Sequence, residues 1–177
     1  MEEYLSAHDV PVVAALDALS KAPEKTLMAI ASDERGERLT RSRAVAALRL
    51  LPSPVVQEFL AKLIQDKAST ADPTERLLLR RAAVALGWMS GSDAPERLAP
   101  LFENQDAEVR LDAVLGIAMS RAATAGPVLR KQLLVEPSPR VRDQIQRQLK
   151  ALGEPSAEPE KAPSSKKPER PPMRGGF

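Results

Sequence analysis

Apolar residues recur at three- and four-residue spacing from about residue 9 to residue 152, and prolines, glycines and polar clusters interrupt them at intervals. That is helical periodicity, and no stretch alternates with the two-residue period of a strand. The clearest stripe is Val109, Ala113 and Ile117, which fall on one helical face behind Asp106 as the N-cap. Val141, Ile145 and Leu149 repeat it behind Ser138-Pro139, where a proline in the first helical position loses no hydrogen bond. Leu78, Ala82 and Leu86 form a third stripe, and Thr40, Ala44 and Leu48 a fourth. From Ala44 through Ala82 and Ala113 to Ile145 the spacings are 38, 31 and 32 residues, and the long one contains the polar insertion KASTADPT. A one-sided helix precedes each of the later stripes, with Leu98, Leu101 and Phe102 in Pro95–Glu103 and Val128, Leu129, Leu133 and Leu134 in Pro127–Val135. A period in the thirties predicts repeated helical hairpins, each able to complete its core only against a neighbour.

The predicted fold is all-α, a right-handed α-solenoid of about four and a half hairpins. Residues 1–8 form an N-terminal arm, a leading helix at 9–20 caps the stack, and the repeats span about 23–51, 53–90, 94–121 and 124–152. From Gly153 the composition shifts to Pro, Ser, Lys, Glu and Gly, and six of the sixteen prolines fall there. Such a segment buries too little apolar surface to offset its ordering entropy, so 153–177 is predicted to be a disordered tail.

Composition narrows the chemistry. Aromatic residues are only 3% of a chain that is 43% hydrophobic, so Ala, Leu, Val and Ile must fill the core, a mix suited to close helix packing. There is no cysteine, and the one histidine is His8, which excludes disulfides, thiolate chemistry and Cys/His zinc sites. No nucleophile–base set, Gly-rich phosphate loop or metal motif occurs, so neither catalysis nor a cofactor is expected. Gly36, Gly87, Gly91, Gly116 and Gly126 read as helix ends or close helix contacts. The 26 basic and 24 acidic groups leave a net charge of +2, a mixed surface rather than a strongly basic one. The start of the chain lacks the pattern of a secretory signal, and no apolar run approaches the roughly 20 residues that span a membrane. A cytoplasmic protein is expected.

The segments VRLDAVLGIA (109–118), VRDQIQRQL (141–149), LLRRAAVALG (78–87) and TRSRAVAALR (40–49) resemble the second helix of short bacterial HEAT-like repeats, V-R-x-x-A-A-x-A-L-G. The resemblance covers about 140 residues and implies a binding module that uses its concave face, as scaffold, adaptor or regulatory subunit. It also implies that Arg41, Arg110 and Arg142, at the recurring Arg position, bind acidic or carbonyl groups of the adjacent turn. Leu79 stands where a fourth Arg is expected, which predicts an interrupted polar ladder there. The iron-dependent hydroxylases of this fold need His-Glu dyads that this chain lacks, and the DNA glycosylases need a strongly basic groove.

In this fold the second helices line the concave wall, so positions two, three and six after the first stripe residue should face the groove. They include Ser42, Arg43, Arg80, Arg81, Leu111, Asp112, Asp143 and Gln144. The predicted partner site is an apolar strip of Val84, Trp88, Leu115 and Met119, flanked by Arg43, Arg80, Arg81 and Arg147. It would accept an acidic or amphipathic protein segment, with Trp and Arg as anchors. The competing arrangement buries Trp88, Leu115 and Met119 under neighbouring helices and leaves the arginines solvated. A second candidate is the tail, where Pro168-x-x-Pro171 supports polyproline II and Lys166, Lys167, Arg170 and Arg174 could meet an acidic surface. The alternative function is a nucleic-acid-binding repeat protein that uses its Arg-rich second helices.

Overall fold

The computed structural model describes residues 1, 2, 5, 15, 16, 18 and 20–153, and every regular element among them is helical. They hold eight α-helices: α1 (Pro23–Ser32), α2 (Arg38–Leu48), α3 (Pro54–Lys67), α4 (Pro73–Met89), α5 (Ala94–Leu98), α6 (Ala107–Ser120), α7 (Ala125–Val135) and α8 (Pro139–Ala151). Short 3-10 segments, Gly91–Asp93 and Ala99–Glu103, bracket α5. His8, most of the expected leading helix 9–20, and the tail from residue 154 lie outside the described residues.

Local chemistry sets the helix starts. Proline opens α1, α3, α4 and α8, where its fixed φ favours the helix and its missing N–H costs nothing. Ser53, Asp72 and Asp106 each accept a backbone N–H of the first turn, as N-caps do. Glu37 does the same for α2, taking the N–H groups of Leu39 and Thr40, and these bonds hold its carboxyl below the usual carboxylate range. Ser138 departs from expectation, because its hydroxyl caps nothing. Glu136 accepts the Ser138 N–H instead, at 3.0 Å. Pro95–Glu103 is also not one helix. It is α-helical to Leu98 and 3-10 beyond, since Pro100 has no N–H to continue the α pattern. The polar insertion is partly helix: α4 begins five residues before Leu78, whereas α2, α6 and α8 begin two before their own stripes.

The stripes meet in one core. Ala44, Leu48, Leu78, Ala82, Leu86, Val109, Ala113, Ile117, Val141, Ile145 and Leu149 are buried, and Thr40 is nearly so. Each fully buried Leu or Ile contributes roughly 1.5–3 kcal/mol relative to exposure. Leu134, predicted to share in the core, is 84% exposed, while Leu129 of the same helix is buried. The hairpin partners α1/α2, α3/α4, α5/α6 and α7/α8 pack together, and the second helices contact one another in series, α2 to α4 to α6 to α8. Along α4 and α6 the paired residues advance together, Arg76 with Asp106 and Arg80 with Asp112. These two helices therefore run parallel.

The tightest approach lies between them. A Cβ on Gly87 would fall 2.2 Å from the carbonyl oxygen and 2.4 Å from the Cα of Gly116. On Gly116 it would fall 2.4 Å from the Ala83 carbonyl oxygen and 2.8 Å from Leu98 Cδ1. Backbone cannot rotate away as a side chain can, so only glycine fits at either position. Ala would gain roughly 1 kcal/mol of helix propensity, but overpacking costs about 1–3 kcal/mol and backbone contact puts it at the upper end. Gly87→Ala and Gly116→Ala are each expected to destabilise by about 1–2 kcal/mol. Thermal melting should show this as a drop of several degrees, and a rise would contradict the packing.

Candidate functional site

The arginines of the second helices divide by what they touch. Arg41 is buried, donating Nε to the Ala31 carbonyl and Nη2 to Glu75 Oε1, both at 3.2 Å. Lys67 Nζ lies 3.2 Å from the other oxygen of the same carboxylate. Arg110, also buried, reaches the Glu136 carboxylate through Nε at 3.0 Å and Nη2 at 2.7 Å, and its Nη1 donates to the carbonyls of Asn104 and Gln105. Arg142 Nη1 donates to the carbonyls of Glu136 and Pro137. Arg41, Arg110 and Arg142 are thus held by acidic and carbonyl groups, as expected.

The predicted interruption at Leu79 does not occur. Leu79 is fully buried, and the residues around it carry the polar link. Arg76 Nη1 donates to Asp106 Oδ2 at 2.7 Å, and Arg80 Nε to Asp112 Oδ2 at 2.6 Å. Arg80 also approaches Glu108 at 3.5 Å, and Arg140 of α8 hydrogen-bonds Glu108 from the other side. Ion pairs therefore join α2 to α4, α4 to α6 and α6 to α8.

Two carboxylates of this ladder titrate in opposite senses. Burial pushes Glu136 upward, but hydrogen bonds from Arg110, the Ser138 N–H and Gln132 outweigh it, leaving its carboxyl below the usual range. For Asp112 burial dominates and the Arg80 bond offsets only part of it, so its carboxyl lies above the usual range.

The residues of the predicted strip are all exposed or half-buried. Trp88 is 65% and Met119 38% exposed, while Val84 and Leu115 are half-buried. Trp88 and Met119 do not disappear beneath neighbouring helices. Ala46 and Leu50 of the first hairpin, six and ten residues after Thr40, are half-buried, and Leu50 lies just past the end of α2. The counting that selected Val84 and Trp88 selects them too. Ser42, expected to face the groove, is buried.

The four flanking arginines are not equivalent. Arg43 is half-buried, and its Nη1 donates to the Leu5 carbonyl at 2.8 Å, tying α2 to the N-terminal region. Arg80 is held by Asp112 and Glu108. Arg81 is exposed, and Arg147, also exposed, donates twice to the neutral amide oxygen of Gln144, at 3.0 and 2.7 Å. The structure therefore leaves Arg81 and Arg147 exposed and draws Arg43 and Arg80 into the framework. Lys166, Lys167, Arg170 and Arg174 lie outside the described residues.

Among the described residues no cluster of three or more acidic or histidine side chains is placed to hold a metal ion, and no helix is long and apolar enough to cross a membrane. Comparison of the chain with models of known protein families, with curated proteins and with solved structures finds no match.

Because Glu136 titrates lower in the folded chain than in the unfolded one, its stabilisation is present above the usual carboxylate range and lost as pH falls through its folded value. Glu136→Gln strands the buried Arg110 charge and should cost about 3 kcal/mol at neutral pH. Melting curves of variant and wild type should converge in acid. Asp112 has the reverse sign, its ionised form being disfavoured by folding, so Asp112→Asn should leave neutral-pH melting unchanged or raise it. A large fall in melting temperature for Asp112→Asn would contradict this assignment.

Proposed function

We propose that this chain is a non-catalytic protein-interaction module, a right-handed HEAT-like α-solenoid that binds a partner protein or peptide on the concave face lined by its second helices. The observation that carries this reading is the exposure of Trp88 and Met119 at matching positions of the parallel helices α4 and α6. The stripes of those helices are satisfied in the core without them. An exposed indole beside an exposed thioether leaves apolar area in water, and a contiguous apolar patch rimmed by charge is what a partner surface covers. The serial contact of second helices and the repeated stripes support the solenoid reading.

Nucleic acid is the less favoured ligand. Arg80 is neutralised by Asp112 and Glu108, and the chain as a whole carries only +2, so no continuous phosphate-binding track emerges among the described residues. A protein partner uses the apolar ribbon that a phosphate backbone would leave uncovered.

A photo-activatable phenylalanine analogue placed at position 88 in the native cell should cross-link to a discrete partner, while the same group at Lys62, exposed on α3, should not. The double variant Trp88→Ser with Met119→Ser should abolish the adduct formed from a second label at position 84. Its stability should stay within about 0.5 kcal/mol of wild type, as for surface substitutions generally. A large drop in melting would instead place both side chains in the core and remove the proposed face.

A further inference from the structure

We infer that the partner segment is acidic as well as apolar, and that Arg81 and Arg147 are the residues that select it. This rests on the docking reading above and adds the chemistry of the ligand. Within the ladder, Arg80 and Arg140 are satisfied by Asp112 and Glu108, so those charges cancel internally. Arg81 and Arg147 remain at the surface; Arg81 acts on Asp112 through space, and the bonds Arg147 makes go to a neutral amide. Against them stands the exposed carboxylate of Asp143. It lies one turn before Arg147 on α8, yet Arg147 turns to Gln144 instead. The charge beside the ribbon is therefore net positive.

Position gives the pattern its specificity. Arg81 precedes Trp88 by seven residues on α4, two helical turns and about 10 Å along the same face. Arg147 occupies on α8 the register position that Val84 and Leu115 occupy on α4 and α6, so it closes the ribbon at its far end. A segment whose bulky apolar side chain covers Trp88 and Met119 would bring carboxylates about 10 Å away onto Arg81 and others onto Arg147. The planar guanidinium takes a carboxylate in a two-point hydrogen bond, and desolvation by the adjacent apolar contact strengthens it. A basic segment would meet like charge at both ends.

The full chain is immobilised and a random peptide library displayed on phage is selected against it, then against Trp88→Ser. The peptides enriched by wild type and lost on Trp88→Ser should combine Asp or Glu with Leu, Phe or Trp. Arg81→Glu and Arg147→Glu, or the milder Arg81→Ala and Arg147→Ala if reversal disturbs folding, should each weaken the best peptide about tenfold or more with melting unchanged. If the Trp88-dependent peptides are neutral or basic, the acidic assignment falls while the docking face stands. If none depends on Trp88, both fall. A mixed-sequence single-stranded DNA that binds at physiological salt and displaces the peptide would overturn the inference in favour of nucleic acid.

Discussion

The backbone contact between Gly87 and Gly116 constrains everything around it. With a Cβ at either position placed 2.2–2.4 Å from backbone atoms, α4 and α6 can approach this closely only as glycine meets glycine. The neighbouring Ala82, Ala83 and Ala113 are small and buried, so the close crossing extends over more than one turn. Closeness has two consequences. Arg76 and Arg80 can span the gap to Asp106 and Asp112, and Trp88, next to Gly87, and Met119, one turn beyond Gly116, both stay exposed at the edge of the contact.

The charged ladder fixes which layer meets which. Buried ion pairs bring little net stability, since desolvation offsets most of the attraction. Their absence from register is what costs energy. A one-turn slip of the α7/α8 hairpin along α6 would strand the Glu136 carboxylate, buried at the end of α7 and bonded to Arg110, away from its partner. Asp112 shows the other side of the balance, because its burial exceeds what Arg80 returns. Polar pairs and apolar stripes thus act together, the stripes holding the layers and the arginines aligning them.

The stripes and most of the helix starts were legible in the sequence because they depend on neighbours three or four residues away. The triplets from Thr40 to Leu149 are buried as the period predicts, and Asp106 caps α6. What the sequence hid are contacts between separate segments. Ser138 has the right residue type for a cap, but a carboxylate two residues upstream takes the N–H. At Leu79 the missing arginine looked like a broken ladder, yet arginines three residues before and one after it carry the link. The four flanking arginines look alike in the sequence, and what draws two of them inward are distant partners, Asp112 for Arg80, 32 residues away, and Leu5 for Arg43, 38 residues away. Leu134 continues the apolar pattern of α7 but turns outward.

If α4 and α6 lie parallel and in register, Trp88 and Met119 must be neighbours on one open face. The chain has a single tryptophan and no cysteine, so a nitroxide on Met119→Cys can be read against Trp88 fluorescence without background. Strong quenching from position 119, with less from a nitroxide on Lys62→Cys, exposed on α3, is the result this arrangement requires. Equal quenching from both positions, or none from 119, would contradict it.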